Sequence, residues 1–186
     1  DLSSGLGAVP REVGDHAERP AAAGVTVLVG VDQREPHAVR RLEAEWRDDA
    51  RAFTKSCEEL GVPAALEISR SGKGAHAWVF FASKVSARDA RRLGTAIISH
   101  TCARTRQLKL ESYDRLFPNQ DSLPKGGFGN LIALPLQKYP RESGCSVFVD
   151  ADLRPYPDQW GFLSGIQPMA AHDIEPTIFR ATGHAH

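Results

Sequence analysis

Apolar residues first fall into a helical rhythm at Trp46, Ala50, Phe53, Cys57 and Leu60, which predicts an amphipathic helix from about Glu43. Gly61 and Pro63 close it. The period then drops to two. Leu66 and Ile68 alternate with polar neighbours, a Gly-punctuated turn follows, and residues 75–81 run almost without charge, so a hairpin with a buried second strand is expected. In that second strand His76, Trp78 and Phe80 share one face, while Ala75, Ala77, Val79 and Phe81 share the other. Ser86-Ala87-Arg88-Asp89 has the form of a capping box with Asp in place of Glu. It opens a second helix over about 86–105, striped by Ala90, Leu93, Gly94, Ile97, Ile98, Thr101 and Cys102.

Downstream, residues 108–113 alternate like a strand that delivers Asp114 at its end. Residues 115–130, rich in Pro and Gly, form a connection of a length that compact domains usually keep for function. A strand over 131–136 is placed at an edge or end by Pro135. A shorter strand is expected at 146–150 and a weak helix around Trp160 and Leu163. The tail after Pro168 reads as loosely packed. Strands interleaved with two good helices predict an α+β domain, its sheet covered by helices mainly on one face.

Composition changes this picture at the N-terminus. Every aromatic residue and every lysine lies after position 42, and the leader before it carries one β-like run, residues 25–31, ending on Asp32. The division expected is therefore an atypical leader at 1–42, disordered or out of frame, a domain at 43–166 that is incomplete at its N-terminus, and a tail at 167–186. Formal net charge is zero, so nucleic-acid contact would need local clustering, which Arg88, Arg91, Arg92, Arg104, Arg106 and Lys109 supply. The commoner meaning of such a run is a solvated helix face. Three scattered cysteines without a CxxC pair argue against a disulfide framework and a zinc site. With no membrane-length apolar run and no signal peptide, a soluble cytoplasmic protein is expected.

The candidate chemistry gathers at the hairpin turn. Gly72 and Gly74 let backbone approach an anion, and Ser71, Lys73 and His76 add a hydroxyl, a cation and an imidazole, a set that suits a phosphate chain. The bland alternative is a plain hairpin whose His is satisfied by a core partner.

Three segments carry a resemblance: Ser69-Arg70-Ser71-Gly72-Lys73-Gly74-Ala75-His76-Ala77-Trp78, then Ser112-Tyr113-Asp114-Arg115-Leu116-Phe117-Pro118-Asn119-Gln120-Asp121, then Pro124-Lys125-Gly126-Gly127-Phe128-Gly129-Asn130 with the apolar run to Gln137. Over about residues 43–166 the chain resembles the archaeo-eukaryotic primase superfamily, and within it the primase domain of TOTE conflict systems, relatives of CRISPR-associated primase-polymerases. The resemblance implies an RRM-like catalytic core with three motifs on its sheet. Gly74-Ala75-His76 matches the motif whose His contacts the incoming nucleotide's phosphates, beside Ser71 and Lys73. Asp114 matches the later metal-binding acid, with Asp150 and Asp121 as rivals; taken alone, Asp114 would be a strand-end Asx turn. The paired-acid motif is where the chain departs: its nearest candidate, Asp32-Gln33-Arg34-Glu35, has different spacing, which would fit a shifted reading frame or a fusion. The implied cofactor is Mg2+ or Mn2+. The implied partners are nucleoside triphosphates, a DNA or RNA template-primer near Arg88, Arg92, Asn119 and Lys125, and helicase or nuclease modules. The function expected is a primase-polymerase core of a mobile-element or phage conflict system, with catalysis impaired by the missing acids. A non-catalytic nucleotide- or nucleic-acid-binding module and a non-functional remnant are the alternatives. His76 is expected on an open polar side within reach of Ser71 and Lys73, and Asp114 about 10 Å or less away, two inter-strand spacings.

Overall fold

The computed structural model describes residues 24–30, 39–105, 113–122 and 132–183. Five strands form one antiparallel sheet: β1 (Gly24–Gly30), β2 (Ala64–Ile68), β3 (Gly74–Phe80), β4 (Tyr113–Phe117) and β5 (Phe148–Val149), in the order β4-β1-β3-β2-β5. The β-branched run that looked like part of a foreign leader is therefore a central strand, flanked by β3 and β4. Placing residues 24–30 outside the domain was wrong. A run of Val and Leu without charge fits a strand paired on both sides, whatever the composition around it.

Helix α1 (Val39–Leu60) begins before the expected Glu43, and α2 (Ala87–Arg104) matches its expected span. Ser86 caps α2, its Oγ accepting the Asp89 amide at 3.0 Å. From these helices Trp46, Phe53, Leu93 and Ile97 close on Ala75, Ala77 and Val79 in one continuous apolar core. Gly94 lets α2 approach β4, because a Cβ there would lie 2.5 Å from Leu116 Cδ1.

The C-terminal segment corrects a second expectation. Helix α5 (Ile174–Thr182) buries Ile174, Thr177 and Ile178 in that same core, and Arg180 donates to the Leu60 carbonyl at 2.9 Å. Ile174 and Ile178 stand four residues apart on one helical face, so the tail is an amphipathic helix rather than loose chain.

The other face of the sheet lies under short pieces that include α3 (Lys138–Glu142) and α4 (Gln159–Gly165), with β5 as an edge strand of the sheet. They bring Leu136, Phe148, Phe162 and Leu163 against Trp78 and Ala65. Gln159 acts as a substitute strand for β5, with its side-chain carbonyl accepting the Phe148 N–H at 2.7 Å and its amide donating to the Phe148 carbonyl at 2.8 Å. The strand expected at 131–136 is absent over its described part, 132–136: Pro135 offers no N–H, and Leu136 turns the chain with φ of 64°. Residues 106–112, most of the strand expected before Asp114, lie outside the described residues; Asp114 itself stands inside β4 rather than at a strand end. Among the described residues no helix is long and apolar enough to cross a membrane.

Candidate functional site

The turn between β2 and β3 is held by its own backbone. Ser69 N–H donates to the Gly74 carbonyl and Gly72 N–H to the Ser69 carbonyl, both at 2.9 Å. Gly72 has φ of 71°, and a Cβ there would meet Cys145 Sγ at 3.0 Å, so any other residue would be both strained and crowded. Ser71 Oγ accepts the Lys73 backbone N–H at 3.3 Å and lies 3.1 Å from Ser69 Oγ. The Lys73 ammonium has no ion-pair partner among the described residues. Hydrogen bonds of Ser71 thus stay within the turn, and none links it to His76.

His76 has another partner, Glu67. The two residues are opposite each other in the β2–β3 ladder, and His76 Nδ1 lies 3.0 Å from Glu67 Oε2. The same oxygen accepts the Trp78 indole N–H at 2.6 Å, and Oε1 accepts the Ser146 hydroxyl at 3.1 Å. Glu67 is 1% exposed and His76 8%. Expecting His76 on an open polar side was therefore incorrect: a buried carboxylate holds it. With Glu67 as an acceptor-only carboxylate, Nδ1 is the N–H and Nε2 is the nitrogen left for another partner. Sequence reasoning missed Glu67, although the signal was present: counting outward from the 69–74 turn, Ile68 meets Ala75 and Glu67 meets His76. A lone acid between two apolar strand residues facing a lone His was the clue.

The sheet gathers the other motifs at this end. Gly30, the last residue of β1, pairs with Gly74, the first of β3; Val29 pairs with Tyr113, the first of β4. Leu28 stands opposite both His76 and Arg115, and the β1–β4 register shifts beside it, where Asp114 is the extra residue. Asp114 is thereby two strands from His76 across the sheet, about 10 Å at ordinary strand spacing. Asp32 and Glu35 lie outside the described residues; the strand that leads to them ends at Gly30.

The rival acids are elsewhere. Asp150 follows β5, at the far edge from β4. Its carboxylate accepts the backbone N–H groups of Arg154 and Asp152, each at 2.9 Å, and the Arg154 guanidinium at 3.1 Å. The Arg154 backbone contact first, with its guanidinium and the Asp152 amide behind, holds the Asp150 carboxyl below its ordinary range. Asp121 is exposed and paired with Arg91 at 2.9 Å.

Two of the expected nucleic-acid residues share one groove. Arg88 and Arg92 line a groove of about 470 Å3 together with Arg91, Asp121 and Ile178. That groove lies between α2 and α5, in the helical layer behind the sheet face that carries His76. Arg92 is spent on Glu175 and Asp89. Asn119 is exposed after β4, and Lys125 lies outside the described residues.

The described residues thus form an antiparallel α+β sheet with a carboxylate-held His beside a Gly-rich turn and an acid-bearing strand two positions away. A family model described as the archaeo-eukaryotic primase domain of TOTE conflict systems matches residues 11–177, and the chain belongs to that family. The match begins well inside the supposed leader, in agreement with the place of β1 in the sheet. Comparison with curated proteins gives no match.

Proposed function

We propose that this domain is the core of a primase-polymerase, which binds a nucleoside triphosphate at the β2–β3 turn and joins it to a template-directed primer. The observation that carries the proposal is the convergence, at one end of the sheet, of the end of β1 with the starts of β3 and β4. In this reading the Gly72 and Gly74 backbone and the Lys73 ammonium receive the phosphates, and His76, held through Nδ1 by Glu67, donates Nε2–H to them as an imidazolium, in which both ring nitrogens are donors. Asp114 and Asp32 are the residues that would hold Mg2+ or Mn2+, since hard carboxylate oxygens suit both ions. Bound there, the ion supplies charge stabilisation for the attacking and leaving oxygens. What supports Asp32 in this role, against the expectation of an acid set left incomplete, is that β1 runs between β3 and β4 rather than outside the sheet.

Calorimetric titration of a nucleoside triphosphate into the wild type and His76→Ala tests the binding half of the proposal. His76→Ala should remain folded and bind about tenfold more weakly, the loss of one charge-assisted contact. Unchanged affinity would remove His76 from the site. A second reading, a binding module without catalysis, is favoured by the two residues that separate Asp32 from Glu35, a spacing that departs from the paired-acid motif the resemblance implies. It predicts the same titration and no primer extension.

A further inference from the structure

A template-directed reaction needs the nucleic acid beside the nucleotide, and α2 with Arg88 and Arg92 is in the wrong layer for that. A different surface is in the right one. Among the described residues the exposed large apolar side chains are Leu134, Tyr139, Trp160 and Phe179. The first three belong to segment 132–166, which lies over the His76 side of the sheet; only Phe179, on α5, is elsewhere. Tyr139 is 76% exposed and Trp160 60%. Each has a cation beside its ring, Lys138 Nζ at 5.9 Å from the Tyr139 centroid and Arg141 Cζ at 6.0 Å from that of Trp160. Single exposed aromatics are ordinary. Two aromatics, each accompanied by a cation and joined through one short helix, are a more specific combination.

This surface is also wired to His76. The Gln137 N–H, one residue before α3, donates to Ser146 Oγ at 3.2 Å; Ser146 donates to Glu67 at 3.1 Å; Glu67 holds His76 at 3.0 Å. Ser146 and Leu136, joined by a 2.8 Å backbone hydrogen bond, both adopt left-handed backbone, φ 55° and 64°, so the approach to α3 is a built geometry rather than a default one. Of the nearby acids, Asp158 is occupied in capping Gly161 at 2.8 Å. Glu142 leaves α3 with two cations to one anion.

We infer that Tyr139 and Trp160, with Lys138 and Arg141, form a binding surface for single-stranded nucleic acid, which leads the strand to the nucleotide site. The inference rests on the proposed function for its purpose, but not for its geometry. Exposed rings stack on unpaired bases of any identity, whereas a duplex hides those faces; the cations meet the phosphates between them. DNA and RNA share this chemistry.

The test uses the full chain and fluorescein-labelled oligodeoxythymidine and oligouridine of about twelve nucleotides, with a duplex of similar length as the third arm. Binding is followed by anisotropy at low and moderate salt. Tyr139→Ala and Trp160→Ala should each weaken single-strand binding about tenfold, and the double variant about a hundredfold. Lys138→Ala with Arg141→Ala should weaken it and flatten its salt dependence. Phe179→Ala and Arg88→Ala with Arg92→Ala should bind as wild type, and all variants should keep wild-type triphosphate affinity. Loss of affinity with either single-stranded probe supports the surface and names the polymer. Wild-type single-strand affinity in the Tyr139/Trp160 double variant, loss that follows Arg88 and Arg92 instead, or equal binding of the duplex would each overturn it. If the platform variants lose the oligonucleotide while His76→Ala keeps the triphosphate, the nucleotide site is misplaced and the surface stands.

Discussion

The two faces of the sheet follow different rules. Against the helices, Ala75, Ala77 and Val79 meet Trp46, Phe53, Leu93 and Ile97, large apolar groups from long regular elements. On the other face, Glu67, His76, Trp78 and Ser146 share buried hydrogen bonds beside a two-residue edge strand and short helices. The first face can be filled by any side chains of suitable volume, since burial is non-directional. The second is particular: each donor needs its own acceptor, and removing one leaves the others unpaired in a dry place. Apolar packing is concentrated behind the sheet, and buried hydrogen bonding in front of it.

Changes on each face should therefore separate into two kinds. Phe53→Ala should have the largest effect on stability, about 3–5 kcal/mol by denaturant titration, with triphosphate affinity per folded molecule unchanged. Glu67→Leu should cost somewhat less, on the order of 3 kcal/mol, by orphaning the Trp78 N–H, the Ser146 hydroxyl and His76 Nδ1. It should also lose triphosphate binding as fully as His76→Ala, with no further loss in the double variant. Glu67→Gln, which can still accept from Trp78 and His76 while its amide faces Ser146, should recover much of both. Nitrogen chemical shifts of the His76 ring would show Nδ1–H in the wild type and Glu67→Gln but not in Glu67→Leu. If Glu67→Leu bound triphosphate normally, the front face would be structural like the back. Gly94→Ala should cost about 1–3 kcal/mol, because the new methyl group must displace Leu116, again without touching binding. Arg92→Ala, breaking only exposed ion pairs to Glu175 and Asp89, should leave the melting midpoint and single-strand affinity at wild-type values.

How much of this was legible in the sequence follows the same division. The helices, the hairpin and the split of His76 and Trp78 from Ala75 and Ala77 could be read because periodicity reports a buried face directly. Two errors came from treating composition as position. The stretch before residue 42 has no aromatic residue, yet its short β-branched run has the partners to be a central strand; nothing local says that β3 and β4 wait on either side. Ile174 and Ile178 were too few to suggest a docked helix until α2 supplied the surface. Of the candidate site, the turn and His76 were visible and Glu67 was visible only through register. The position of Arg88 and Arg92 in the helical layer could not be read: a basic stripe on a helix reads alike whichever way the helix faces.

Primer extension tests the central claim most directly, namely that the end of β1, the start of β3 and the start of β4 make one nucleotidyl-transfer site. The wild type, Asp114→Ala and Asp32→Ala would be compared on a primed template with Mg2+ or Mn2+, at equal amounts of folded protein. The account predicts extension by the wild type, and a loss on the order of a hundredfold or more in each variant, since reacting atoms displaced by about 1 Å already cost that much. Extension unaffected by Asp32→Ala would detach β1 from the chemistry. No extension by the wild type, with His76-dependent triphosphate binding intact, would contradict the claim and leave a domain that binds nucleotides without joining them.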